Sequence, residues 1–120
     1  MKPDCLRQYM SADETSKLRP KKTYEGRRDE SGVVVSVDGQ QLVERYDLRN
    51  HSPTGFEWGY GGSGPAQLAL ALLADHLGND QEALHLYQEF KFRVVAGLPR
   101  EWWKLTSQDI EKALRRISQK

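Results

Sequence analysis

One stretch near the middle of the chain, residues 65–77, constrains the fold more than any other. It contains five leucines and four alanines, and only Gln67, Asp75 and His76 in it are polar. A helix that is apolar nearly all round must be enclosed by other elements. A proline suits its first turn, and the glycine at position 78 suits the left-handed residue after its end. We therefore predict a central helix over residues 65–77.

The residues before this helix have the pattern of a small antiparallel sheet. Val33–Val37 and Gln40–Glu44 flank the dipeptide Asp38-Gly39, which supplies the two positive φ angles of a type I′ hairpin turn. Residues 23–26 are a candidate third strand at an edge. Two or three short strands are marginal alone, so we expect the sheet to lay one face on the helices.

The residues after the central helix indicate two more helices. Asn79 or Asp80 is the expected cap of the second, whose buried stripe is predicted at Ala83, Leu84, Tyr87, Phe90 and Val94. Beyond a turn at Trp102-Trp103, a capping box opens a third helix along Ile110, Ala113, Leu114 and Ile117. The predicted fold class is α+β, with a short antiparallel β-hairpin or three-stranded sheet packed on about three helices.

Composition indicates one domain with a solvated beginning. The chain has 120 residues, enough for a single core. Residues 1–22 carry scattered charges and few large apolar side chains, so we predict a flexible N-terminal tail at 1–22 and a single α+β domain at 23–120. The net charge of +1 lacks the strong positive field of a dedicated duplex-DNA binder. Nucleic acid nevertheless stays open as a partner.

The cysteine content and the hydropathy indicate a location. The single cysteine, Cys5, excludes an intramolecular disulfide and a multi-cysteine metal site, and fits a reducing compartment. The longest apolar run is shorter than the roughly 20 residues that span a bilayer. We therefore expect a cytoplasmic protein with no membrane partner.

A glycine and aromatic loop precedes the central helix, and its letters from Gly59 to Gly64 match the dinucleotide-binding pattern G-x-G-x-x-G. The context argues against that function, because the segment that follows reads as a second helix and not as a βαβ unit. A weaker possibility is a phosphate or carboxylate held at the helix N-terminus. The candidate ligand-binding residues are Trp58, Tyr60, Gly61, Gly62, Ser63 and Gly64. In the alternative interpretation, the glycines allow close backbone approach and the aromatic rings fill space under the helix. In an extended loop Trp58 and Tyr60 point the same way.

No convergent set of catalytic residues is evident. The three histidines, His51, His76 and His85, lack metal-binding spacings, and a surface contact between His85 and Glu89 is the expected use of that pair. No Ser–His–Asp arrangement can be derived. We therefore predict no catalytic residue, no metal site and no cofactor.

The end of the chain offers candidate partner contacts. Lys112, Arg115 and Arg116 lie opposite the apolar stripe of the third helix, where they suit either nucleic-acid phosphates or an ordinary solvated face. Trp102 and Trp103 are adjacent, so one is expected to pack on the core and the other to be available to a partner protein.

Three segments together resemble a small prokaryotic family known only as a domain of unknown function. They are Gly55–Leu72, Ala83–Lys91 and Val95–Pro99. The resemblance extends over about residues 24–114 and implies a domain that stands alone and that also occurs in phages and other mobile elements. It implies no reaction, cofactor or catalytic residue.

We expect a non-enzymatic binding or accessory domain with a protein or nucleic-acid partner. The alternative is a small anion- or nucleotide-binding protein or enzyme that uses the glycine-rich loop and the helix N-terminus. The oligomeric state is not indicated by the sequence.

Overall fold

A computed structural model describes residues 21–118. Most of the predicted tail therefore lies outside the described residues. Lys22 lies within them and is already tied to the domain, since its ammonium group is 3.1 Å from the Asp75 carboxylate and its backbone N–H donates to the Ser107 hydroxyl. In chain order the elements are β1 (Thr23–Asp29), β2 (Gly32–Val37), β3 (Gln40–Gln41), α1 (Ser63–Leu77), α2 (Asp80–Arg93), a 3₁₀ turn (Val95–Gly97), β4 (Trp102–Thr106) and α3 (Ser107–Ser118).

The strands form one antiparallel sheet in the order β3-β2-β1-β4. The fold is therefore α+β, as predicted. The β2–β3 hairpin has positive φ at Asp38 (50°) and Gly39 (84°), which confirms the type I′ turn. The prediction of two or three strands was wrong, because residues 102–106 add a fourth. The second hairpin strand also ends at Gln41 and not at Glu44.

Strand β4 occupies the place where a turn was predicted. Its five residues pair with β1, far away in sequence, with Trp103 opposite Gly26 and Trp102 opposite Arg27. Alternation along the strand buries Trp103 and leaves Trp102 half exposed, as was expected for adjacent tryptophans. A Cβ atom at Gly26 would lie 2.3 Å from the Trp103 indole nitrogen, so only glycine lets this ring cross β1.

Helix α1 is the centre of the molecule. All of its residues are buried except Ser63 and Asp75, which confirms the prediction from its apolar composition. It begins two residues before the predicted Pro65, at Ser63, and ends at Leu77, followed by Gly78, whose φ of 63° is left-handed. The Asp75 carboxylate accepts a 2.6 Å hydrogen bond from the hydroxyl of Tyr24 and thereby joins α1 to the sheet. Burial raises the pKa of Tyr24, and the bond to Asp75 raises it further.

The other two helices have the predicted caps. Asn79 accepts the backbone N–H of Glu82 at the start of α2, and Thr106 and Asp109 exchange the two hydrogen bonds of a capping box before α3. Ala83, Tyr87 and Phe90 of α2 and Ile110, Leu114 and Ile117 of α3 are buried. Within residues 21–118, no helix has the length and apolar character needed to cross a membrane.

Candidate functional site

A groove of about 840 Å³ opens beside the sheet, between β2 and the loop that leads to α1. Its lining combines apolar side chains with charged ones. The lining residues include Glu25, Arg27, Arg28, Val33, Val35, Leu42, Glu44, Phe56 and Glu57.

The groove exists because β3 leaves the sheet early. The side chain of Gln67, completely buried in α1, donates hydrogen bonds to the backbone oxygens of Glu44 (2.7 Å) and Arg49 (3.0 Å). Its own oxygen accepts the backbone N–H of His51 at 2.8 Å. A buried amide must have its hydrogen bonds satisfied, so the chain after Leu42 is drawn to the helix and away from β2.

The departure of β3 leaves part of β2 without a neighbour. The bond from Asp38 N–H to the Thr23 oxygen fixes which residues of β2 face β1. By alternation, the backbone groups of Val33 and Val35 point the other way, towards the groove. On that side the ladder ends with the bond from Leu42 N–H to the Val35 oxygen. Across residues 21–118, the N–H and C=O of Val33 and the N–H of Val35 have no backbone partner.

The loop before α1 forms the opposite wall of the groove, and a bidentate ion pair holds it to β1. Arg28 donates to both carboxylate oxygens of Glu57, at 3.0 and 2.7 Å, and its guanidinium lies 5.0 Å from the centre of the Trp58 ring. The bond to Arg28 holds the pKa of Glu57 below its usual range. The indole N–H of Trp58 donates to the Arg100 oxygen at 2.8 Å. These contacts join the loop to β1 and to the segment before β4.

The glycine and aromatic loop is largely a packing device. Trp58 is 2% exposed and meets Trp103 edge to face, with centroids 5.6 Å apart. Tyr60 is 51% exposed, so the two rings do not share one environment, as they would in an extended loop. The reason is the left-handed backbone of Gly59 (φ 88°), which breaks the extended course of the loop. Of the aromatic residues of the loop, Trp58 is in the core, Phe56 is partly buried against it and Tyr60 is exposed.

The predicted anion site at the start of α1 has no built cradle. Gly61 and Ser63 are exposed, and the N-cap residue, Gly62, has no side chain that could cap this helix. Glu57 lies against Gly64, where an added Cβ would be 2.6 Å from the Glu57 Cβ, so a carboxyl-bearing residue occupies that side. A ring carbon of Tyr60 would lie 2.6 Å from a Cβ at Gly62. The six residues predicted to bind a ligand, from Trp58 to Gly64, lie outside the lining of the groove beside β2; their role as a site stays a prediction.

The residues predicted to contact a partner lie on separate surfaces. Lys112 and Arg116 are exposed on α3, whereas Arg115 is only half exposed and already interacts within the protein. Trp102 lies on the outer face of the sheet, where its indole N–H donates to Glu25 at 2.6 Å. Trp103 is in the core and is not available to a partner in this conformation. The nucleic-acid role of the helix residues stays a prediction.

The histidines have structural partners that the sequence did not indicate. His76 is buried with Glu111 of α3, and its Nε2 lies 2.6 Å from the carboxylate. His51 lies 2.7 Å from the Tyr87 hydroxyl. Glu89 pairs with Arg93, not with His85 as predicted. Among the described residues, no group of three or more His, Cys, Asp or Glu is arranged to hold a metal ion.

The residues of the groove were missed by sequence reasoning. Glu44, Phe56 and Glu57 come from separate segments, and nothing in their local spacing joins them. One signal was available: Gln67 is the polar residue at the heart of an apolar helix, and a buried amide needs partners.

Comparisons with known proteins place the chain in a family. The model of the family of unknown function DUF6166 matches residues 24–116. No curated protein and no solved structure matches the chain. Because the match extends from β1 nearly to the end of α3, the chain belongs to the family of unknown function DUF6166.

Proposed function

We propose that this domain binds an extended segment of a partner protein, which it takes up as an additional strand beside β2. Extended peptides commonly bind by adding a strand to an open sheet edge, with backbone hydrogen bonds for affinity and side-chain contacts for specificity. The proposal narrows the expected class, a non-enzymatic binding domain, to one mode of recognition.

The supporting observation is the open backbone of Val33 in the groove. Its N–H and C=O point there and have no backbone partner among residues 21–118, whereas Leu42 lies opposite Val35. An N–H and a C=O on one residue are the two groups that an antiparallel strand exchanges with the residue opposite it. The open edge of β2 faces the loop before α1 across the groove. We expect this recess to admit one extended chain and to hinder pairing with a whole sheet.

A peptide fits this groove better than a nucleic acid does. The lining carries Glu25, Glu44 and Glu57 against Arg27 and Arg28, and Arg28 is engaged by Glu57. Phosphate backbones bind to uncompensated cations. Apolar side chains from Val33, Val35 and Phe56 instead suit the alternating side chains of a strand. Two other predictions remain separate from this proposal, because their residues do not line the groove. They are nucleic-acid contact through Lys112, Arg115 and Arg116, and anion binding at the glycine-rich loop.

The proposal also includes the cellular location of the domain and its biological context. We place the domain in the cytoplasm because its single cysteine fits a reducing compartment. Its resemblance to domains of phages and other mobile elements suggests an accessory role in that biology.

A matched pair of substitutions at Val33 tests the proposal. Proline removes the N–H that points into the groove and places its ring there, but it cuts no bond to β1, because that N–H faces away from β1. Threonine keeps the N–H and the branched shape. Short peptides are first selected from a randomised displayed library on the full chain, and the best is titrated by fluorescence anisotropy.

We expect Val33→Pro to weaken the selected peptide about 10-fold or more and Val33→Thr to leave its affinity within about 2-fold. Thermal denaturation verifies that both variants are folded. A library that enriches no peptide over a blank surface, or a peptide that binds the proline and threonine variants equally, would refute strand addition at β2.

A further inference from the structure

We infer that the strand bound beside β2 carries a lysine or arginine opposite Val33, and that Glu44 recognises its cationic head. This inference rests on the proposed function, and it names the chemistry of the segment that the groove selects. It follows from the direction in which the bound side chain points and from the charges that it meets.

The register decides which face of the sheet that side chain occupies. Directly opposed residues of paired strands point to the same face. Val33 shares its face with Val35, the buried residue opposite Gly26, so the ligand residue opposite Val33 also points to the helix side. Phe56, which packs against the core, lines this groove together with Glu44 and Glu57, and we expect the ligand side chain to meet them.

Among the described carboxylates that line the groove, Glu44 is the one left to bind a cation. Its backbone oxygen is held by Gln67, which fixes the residue in place. Of the other groove carboxylates, Glu57 is bound at both oxygens by Arg28 and Glu25 accepts the indole N–H of Trp102. Within the described part of the chain, the Glu44 side chain has no hydrogen-bond or ion-pair partner.

An apolar wall that ends in a carboxylate fits a long basic side chain. Lysine and arginine lay their methylene stems along apolar surface and keep the charged head at a polar group. Val33 and Phe56 provide the apolar surface and Glu44 provides the counter-charge. An acidic residue at the same position would face Glu44 and Glu57 together, and a purely aliphatic one would leave Glu44 unpaired.

The test compares peptide selections on Glu44 variants of the full chain. Wild type is expected to enrich extended peptides with Lys or Arg at one fixed position. Glu44→Gln is expected to enrich similar peptides without that basic preference, and Glu44→Lys to prefer Asp or Glu there. Glu30→Gln, at the exposed end of the β1–β2 hairpin and outside the groove, is the matched control and is expected to select as wild type does.

Titration of a single selected peptide measures the contribution of its basic residue to the affinity. Replacement of its basic residue by glutamine should weaken binding to wild type about 2- to 5-fold at low salt and leave binding to Glu44→Gln unchanged. Peptides that depend on the Val33 N–H but show no basic preference, or whose preference survives in Glu44→Gln, would overturn this inference and leave strand addition intact. A library that enriches nothing would refute both.

Discussion

The side chain of Gln67 lies 2.7 Å from the backbone oxygen of Glu44 and holds it at the central helix. The same amide group binds the Arg49 oxygen and the His51 N–H, so one side chain fixes the path of the chain from β3 to the loop before α1. This relationship ends β3 after two residues and leaves the groove beside β2. The candidate binding site therefore depends on a buried polar residue that does not itself line it.

Replacement of Gln67 by methionine should destabilise the fold and disorder the segment from residue 44 to 51. Methionine has a similar shape, but it leaves two backbone oxygens and the N–H groups of His51 and Ser52 without their partner, and we expect a loss of about 2–4 kcal/mol in the free energy of unfolding. Urea denaturation measures the loss. Gln88→Met, on the exposed side of α2, is the control and should change stability by less than about 0.5 kcal/mol. Equal effects of the two substitutions would contradict the role given to Gln67.

Alanine at Gly26 should be poorly tolerated. Its methyl group would lie 2.3 Å from the Trp103 indole nitrogen, and the ring is packed by Trp58 on another side. We expect a loss of about 2–3 kcal/mol, because the ring or strand β4 must shift. Gly97→Ala is the control, since nothing lies within 4 Å of its added methyl group. A Gly26→Ala protein with an unchanged thermal midpoint would contradict the packing of Trp103 across β1.

The Arg28–Glu57 pair should give the domain a measurable acid dependence. The folded pKa of Glu57 lies below its usual value of 4.5 because Arg28 binds the carboxylate. The pair therefore stabilises the fold above about pH 4.5, and this contribution is lost as the pH falls through the lowered folded pKa. Glu57→Gln should be less stable than wild type by about 1 kcal/mol near pH 7 and by less near pH 3. Urea denaturation at both pH values tests this, and a gap that does not narrow on acidification would exclude the linkage.

The helices could be predicted from local sequence because their signals are local. The apolar content of residues 65–77, the Asn79 cap and the Thr106–Asp109 box each lie within one helix, and each is confirmed. The hairpin at Asp38-Gly39 is local in the same sense. The α+β class followed from these elements.

The fourth strand and the groove depend on contacts between distant residues. Strand β4 has five residues, and its partner β1 lies roughly eighty positions earlier in the chain. No local sequence pattern could therefore predict the pairing. The early end of β3 depends on Gln67, which comes after it in the chain. The open edge at Val33 follows from that departure, and it could not be derived before the path of residues 42–57 was known.

Amide hydrogen exchange at Val33 and Val34 tests the central claim most directly. Val34 faces β1, where its N–H is paired with Arg27, whereas the N–H of Val33 faces the open groove. In the free protein, followed by nuclear magnetic resonance, the Val34 amide should exchange slowly and the Val33 amide fast, and a selected peptide should slow the exchange of Val33. A Val33 amide that is protected as strongly as that of Val34 without any peptide would contradict the open edge and the binding mode built on it.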